Sequence, residues 1–370
     1  MRELLARRPK LVAAVAAAVV LLGGGAAVLA LSGGGDDAAP PTTTTTTTVA
    51  PTTTTTTEPP TTTTTTTVPA YPLTGLPVVD PARATQPALV VKIDNAQPSR
   101  GQGARPQWGL NQADVVFEEM VEGSVTRFAA VFHSTDADPV GPIRSARTTD
   151  LMITGSLNGP LFAWSGANAG VAEQVRAADL VDIGHSAASS AYRREGSRPA
   201  PHNLVSSTAA LRAAVAPEVR PPVPHFAYRP EGTPVQGAPA GGVGIVFGDG
   251  PGSAPVDFTW NGTGWARSQA GTPHVDAAGV QVAPANVVVL FAPYVEVQCC
   301  DASGYPVMEA QMVGDGDAWI LTAGNLVPAR WHKGSLAEPT SYLDAAGQPV
   351  LLTPGQTWVS IAPPGTATPH

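Results

Sequence analysis

Cysteine is nearly absent. The 370-residue chain has two, and they are neighbours, Cys299 and Cys300. A disulfide framework is thereby excluded, and so is a cysteine metal site, whose ligands are spaced by at least two residues. Adjacent cysteines close only a strained, easily reduced ring. On a strand their side chains point to opposite faces, so two free thiols, one inward and one outward, is the equal alternative. Charge is also scarce: Asp, Glu, Lys and Arg make up 14% of the residues, with a net charge of −8. Beyond the N-terminal head there is no basic block, which removes nucleic acid as a partner. HExxH, G-x-S-x-G, the P-loop and the dinucleotide fingerprint are all missing, which argues against the common metalloproteases, serine hydrolases and nucleotide enzymes. His133 and His185 are too scattered for a metal site, and no cofactor is expected.

What the chain does have begins at its N-terminus. Arg2, Arg7, Arg8 and Lys10 precede an uncharged apolar run, Leu11 to Leu31, and Asp36 and Asp37 follow it. The run matches the roughly 20 residues that cross a hydrocarbon core as a helix. The positive-inside rule keeps the head in the cytoplasm and sends the rest out. Gly23, Gly24 and Gly25 are tolerated in lipid. The alternative is a cleaved signal peptide, with Val28 and Ala30 before the cut; its apolar region is usually only about 7–15 residues.

Pro40 to Pro69 is a Thr/Pro tract with threonine runs at 42–48, 52–57 and 61–67. It has nothing to bury and cannot offset the entropy of ordering. As an extended stalk of about 3.1 Å per residue it reaches on the order of 90 Å. Thr/Pro tracts outside the membrane are also typical acceptors of O-linked sugars.

The reading divides the chain into a head and anchor (1–32), a stalk (33–70), an N-terminal α+β domain (71–216), a Pro/Gly-rich linker (217–242), a β-rich antiparallel domain (243–364) and a short tail (365–370). Ala88–Asp94, Val115–Met120 and Thr126–His133 read as strands divided by polar turns. Val171–Ala178 reads as a helix with Val171 and Val175 on one face, and Ser206–Ala216 as another, stopped by Pro217. From Gly244 to Ile361 the pattern is almost all strand, with NGTG, DASG and GDGD turns suited to hairpins.

Three groups of residues are candidates for chemistry. Arg144 and Arg147 in GPIRSAR are three apart in a chain poor in charge. On a helical turn they share a face; in a loop they make a forked cationic mouth. Paired guanidinium groups recognise phosphate or carboxylate bidentately. The plainer reading is salt bridges to Glu118, Glu119 or Glu122. The second group is acidic: Asp94 at a strand end, Asp114, Glu118, Glu119 and Glu122, suited to acid–base work on a glycoside or to neutralising Arg127, Arg144 and Arg147. Strand alternation puts Glu118 and Glu119 on opposite faces. The third is His202 with Asn203, a base or ligand and an orienting amide, or a hydrogen-bonded loop pair.

The motifs PLTGLPV (72–78), VKIDN (91–95), ARPQWGLNQADVVFEE (104–119), EGSVTRF (122–128), GPIRSAR (141–147) and APHNL (200–204), with YLDAAGQPVLLTPGQTWVSI (342–361), occur in this order. Together they resemble the YerB-like bacterial envelope lipoproteins. The resemblance implies a two-part domain of unknown function and an extracytoplasmic location, and no reaction. It gives Glu122, Arg127, Arg144 and Arg147 added weight as a shared site. Members usually carry a lipid-anchored cysteine; here an apolar run and stalk stand in its place. The leading expectation is a membrane-anchored module that binds an anionic envelope component through Arg144, Arg147 and Arg127, with Asp94 and Asn95 at the rim and Asn203 near. The rivals are an envelope hydrolase using Asp94, Glu118 or Glu122 and His202, and a purely structural protein.

Overall fold

The computed structural model describes residues 69–97, 103–216, 218, 220–298 and 304–370. The apolar run, most of the stalk, Cys299, Cys300 and Pro217 lie outside the described residues. Among the described residues no helix is long and apolar enough to cross a membrane.

In the first half the strands are β1 (Leu89–Asp94), β2 (Val115–Met120), β3 (Thr126–Phe132), β4 (Leu161–Ala163) and β5 (Val181–Asp182). They form one end of an eleven-stranded sheet, in the order β2-β3-β1-β4-β5. The sheet continues from β2 through Thr357–Ala362, Asn286–Phe291, Gly314–Thr322, Asn325–Lys333 and Ser341–Leu343, with Ala238–Pro239 pairing beside Asn325–Lys333. The two halves of the sequence thus share a single sheet. Gly242–Ile245, Val256–Trp260, Trp265–Gln269, Thr272–Pro273 and Ala367–Pro369 form a smaller antiparallel sheet.

The second half is not uniformly antiparallel. Thr357–Ala362 runs parallel to both of its neighbours, β2 and Asn286–Phe291. The long excursion from each of these strands to Thr357 allows a return in the same direction, whereas tight hairpin turns enforce the opposite one. The apolar stretch 286–298 does not run as one strand: it is broken at Ala292 and Pro293 into Asn286–Phe291 and Tyr294–Gln298, since proline cannot donate to a ladder. The segment 217–242 is also tied to the fold: Ala227–Tyr228 pairs with Leu351–Leu352.

Every residue of β1, β2 and β3 is buried. Alternation sends Leu89, Val91, Ile93 and Val116 to one face, with Val243, Phe258, Trp265 and Trp358 in the same apolar cluster. Val90, Val115, Phe117 and Val131 go to the other, with Ile153, Leu157 and Met312. Both faces are therefore covered, which suits the near-continuous apolar runs LVVKI and NVVVLF.

Helices are short. α1 is Pro81–Ala84 and α2 is Thr149–Thr154, a helix that the pattern did not announce. α3 spans Ala169–Ala177, capped by Asn168 and burying Val171 and Val175. α4 spans Thr208–Ala213; Ser207 accepts from the amide of Ala210 at 3.1 Å, which fixes its start.

Candidate functional site

The site is set by strand register. Asp94 at the end of β1 lies opposite Arg127 of β3, and Arg127 lies opposite Glu119 of β2. These three side chains form one charged row across the face that α2 covers. Lys92 is two residues before Asp94 on the same face. Its ammonium contacts Glu119 and lies 2.8 Å from Asp150 Oδ1, with all three side chains fully buried. The other Asp150 oxygen accepts the amide of Arg147 at 2.7 Å. Burial, then the charge of Asp150, raises the Glu119 carboxyl to about 7 against the opposing pull of Lys92.

GPIRSAR is neither helix nor hairpin. It runs along the end of β1, where Arg144 donates its amide to Lys92 O at 2.9 Å and Ile143 bridges Ile93. The two arginines part company. Arg147 turns inward and grips Glu122 with two bonds, Nε to Oε1 at 2.5 Å and Nη2 to Oε2 at 2.6 Å. Arg147 thus makes the salt bridge to Glu122 that the plainer reading expected. Arg144 stays about a quarter exposed, its Nε 3.0 Å from Asp94 Oδ2.

APHNL reaches the same atom. Ile143 donates its amide to Leu204 O at 2.6 Å, which brings the loop before Leu204 over the end of β1. His202 Nδ1 lies 2.7 Å from Asp94 Oδ2. The loop is held on both sides: Arg198 stacks over Trp108 at 4.0 Å, and Arg194 donates to Asn203 Oδ1 at 2.7 Å. Asn203 donates to Arg198 O at 2.9 Å, so it anchors the loop instead of facing a ligand. Three sequence motifs thus meet on one carboxylate oxygen. Burial alone would raise the Asp94 carboxyl, but the hydrogen bond from His202 and the charges of Arg127 and Arg144 hold it below its usual range.

Asp94, Glu122, Arg127 and Arg144 line an open cleft of about 340 Å³, closed on one side by Pro251, Gly252 and Tyr305. Gly123 in the wall has φ of 65°, a conformation suited to glycine, and its carbonyl accepts the amide of Gly252 at 2.8 Å. Arg127 makes one hydrogen bond, to Ser145 O at 3.2 Å, and its Nε has no partner among the described residues. Burial and the charge of Arg147 lower its guanidinium to about 10, still fully cationic at neutral pH.

Glu118 and Asn95 are elsewhere. They face the smaller sheet, inside a buried polar circuit. Glu118 accepts from Arg267 at 2.7 Å, Thr126 at 2.8 Å and Trp358 at 3.0 Å. Arg267 Nη1 lies 2.6 Å from His274 Nδ1, and because arginine only donates, the proton of this imidazole is on Nε2, 2.8 Å from Gln107 Oε1. Gln107 donates to Asn95 Oδ1 at 3.0 Å, and Asn95 donates to Thr126 and Gln269. Asn95 is therefore buried between the layers and not at a rim, and Glu118 has no route to a substrate. Burial and the charges of Arg267 and Arg105 keep His274 neutral by lowering it well below its ordinary value.

Sequence reasoning missed Arg267, His274 and Gln107. A signal existed in Trp265-Ala266-Arg267-Ser268-Gln269, where period two places Trp265, Arg267 and Gln269 on one buried face. Among the described residues no group of three or more potential metal ligands occurs.

Two stretches match a known family. Residues 73–220 match the N-terminal domain and residues 246–359 the C-terminal domain of the family described as "Protein of unknown function (DUF3048)". The chain belongs to the DUF3048 family. It is similar to the protein named "Putative lipoprotein YerB" of Bacillus subtilis (strain 168), with 27% identity over 307 residues, 79% of this chain and 86% of that protein. The crystal structure of YerB protein from Bacillus subtilis has the same fold: the TM-score is 0.70 at 23% identity, over 81% of this chain and 99% of that one. The family expected from the motifs is the family found.

Proposed function

We propose that this DUF3048 protein is a membrane-tethered binding module of the cell envelope whose cleft takes an anionic envelope component. One observation carries the reading. Two guanidinium groups, Arg127 and Arg144, line an open cleft with donors that no neighbouring acceptor uses: the Arg144 terminal nitrogens make no hydrogen bond among the described residues, and Arg127 uses one nitrogen. A guanidinium out of bulk water favours a charge-assisted partner. Asp94 meets part of that demand, and Glu122 is already engaged by Arg147. Anchorage through Leu11–Leu31 and presentation on the Thr/Pro stalk are supported by the apolar length of the run and by the similarity to a protein whose name includes "lipoprotein".

Loss of a charge-assisted contact weakens binding by about 1.5–3 kcal/mol, roughly ten- to hundredfold. Arg144→Gln should therefore bind fluorescently labelled poly(glycerol phosphate) or labelled polygalacturonate at least tenfold more weakly by anisotropy, with a circular-dichroism spectrum that still shows the native fold. Parent-like affinity of this variant, or no binding of either polymer by the parent, would refute the reading. For the topology, protease added to whole spheroplasts should remove the C-terminal part. Protection of an intact carboxyl end would sink the proposed orientation.

A further inference from the structure

A second cavity adjoins the cleft just past the end of β1. Ala96 lines the cleft. Gln97, the next residue, lines a cavity of about 370 Å³ whose walls include Arg105, Gln269, Thr272 and His274. Ala104 donates its amide to Ala96 O at 3.1 Å, which sets Arg105 beside the same segment. Arg198 ties that segment down: it donates to Ala104 O at 2.7 Å and to Pro106 O at 2.5 Å while lying over Trp108. Another part of the wall is a tight hairpin turn between Gln269 and Thr272. Ala270 and Gly271 there have φ of 51° and 71°, the left-handed values that a two-residue turn of this kind needs.

The cavity is a set of donors. Among the described residues no aspartate or glutamate lines it, whereas the cleft contains Asp94 and Glu122. Arg105 is in no ion pair among the described residues. Its Nη2 donates to Gln97 Oε1, its Nη1 makes no hydrogen bond, and its Nε is buried without a partner. Gln269 is only 3% exposed. Its oxygen accepts from Asn95 at 3.1 Å and from Arg267 at 3.3 Å, and its Nε2 is left without an acceptor among the described residues. His274 is closed to a ligand, because Arg267 and Gln107 engage both ring nitrogens.

Charge points the same way. Arg267 is bonded to two of the lining residues, Gln269 and His274, and its own partner is Glu118. The same carboxylate is the one that acts on Arg105. Burial and then the charge of Arg267 lower the Arg105 guanidinium to about 10, so it is still cationic at neutral pH. Two guanidinium groups thus share one carboxylate. A cation drawn partly out of water in this way favours an anion that supplies charge-assisted bonds.

Resting on the anion-binding reading, we propose that the Arg105 cavity is a second anion subsite and that the ligand is a polyanion, one chain of which occupies both. Arg105 and the Gln269 amide hold one phosphate or carboxylate group, and Arg127 and Arg144 hold another. Consecutive residues line the two cavities, and their Cα atoms are about 3.8 Å apart. A chain that fills one cavity therefore has the other within reach. Its second contact is intramolecular and gains affinity through effective concentration, which two separate small anions do not.

The test uses labelled poly(glycerol phosphate) and labelled polygalacturonate, a phosphate and a carboxylate form of the same chemistry. Arg105→Gln should bind the polymer that the parent binds roughly tenfold or more weakly by anisotropy, with the native circular-dichroism spectrum. Thr272 is exposed on the edge of the cavity, so its substitution leaves the core alone. Thr272→Asp should weaken binding, and Thr272→Asn should bind as the parent does. A short oligomer of the same polymer should bind the parent one-to-one by titration calorimetry. Parent-like affinity of Arg105→Gln or of Thr272→Asp overturns the second subsite, and two oligomers per protein overturn the shared chain. The two readings fail separately. Weakening by Arg144→Gln with parent-like Arg105→Gln leaves the cleft as the anion site, weakening by Arg105→Gln alone removes the cleft, and no polymer binding by the parent removes both.

Discussion

Arg267→Met is expected to destabilise the protein by about 3–5 kcal/mol, the range for stranding one member of a buried ion pair. Glu118 is fully buried, and Arg267 is the cation that pairs with it. Without the guanidinium, two hydrogen bonds from Thr126 and Trp358 remain, and His274 loses the donor at its Nδ1. Arg267 also lies over Trp358 at 5.0 Å and near Phe128 at 5.5 Å, so the methionine keeps some of the packing and the loss is mainly electrostatic. Such a change is a large share of the roughly 5–15 kcal/mol that holds a typical domain together. At about 2 °C per kcal/mol for a domain of this size, the melting temperature should fall by roughly 6–10 °C. The double variant Glu118→Gln/Arg267→Met removes both charges and should recover most of the loss. A single variant no worse than the double in urea unfolding would show that the pair is not what the region depends on.

Lys92→Met should be at least as damaging, again about 3–5 kcal/mol by the same reasoning. Here one ammonium serves two fully buried carboxylates, Glu119 and Asp150, and its removal leaves them facing each other. The triad also has a pH signature. Burial and the charge of Asp150 hold Glu119 at about 7 in the folded state, above its ordinary 4.5. The folded protein therefore holds this proton more tightly than the unfolded chain. The contribution is complete below about pH 4.5 and is lost as pH climbs through about 7. Buried histidines work in the other direction: burial lowers His133 and His225 to about 4, and they favour folding as pH rises. The informative quantity is thus the difference between Glu119→Gln and the parent. The variant should gain on the parent steadily from about pH 4.5 to 7 in urea unfolding. Parallel stability curves would mean that Glu119 does not take up this proton.

Much of the architecture was legible because it depends on local pattern. VVFEEM and TRFAAVF carry strand residues bounded by turns, and they form β2 and β3 close to where the pattern ends them. Val171 and Val175, four apart, marked the buried side of α3. α2 escaped because it is only six residues long, has no side-chain cap and mixes Thr, Asp and Ile with Leu and Met. Glu118 and Glu119 were correctly set on opposite faces, but alternation was silent on whether either face meets water. Both are covered, so both carboxylates are inside, each with a cation from a different part of the chain.

The sequence by itself determined most of the strand and helix segments, the apolar N-terminal run, the Thr/Pro tract and the family, because these reside in composition, periodicity and the order of short motifs. Only the tertiary structure decided that Arg147 is tied up by Glu122 while Arg144 looks into a cleft, and that His202 meets Asp94 across 108 positions of chain. Two arginines three residues apart look alike on paper. Which carboxylate each of them meets, and which keeps its terminal nitrogens open, depends on where β2, the 122–124 turn and the His202 loop come to rest, and that is a matter of long-range packing and desolvation to which a local pattern is blind.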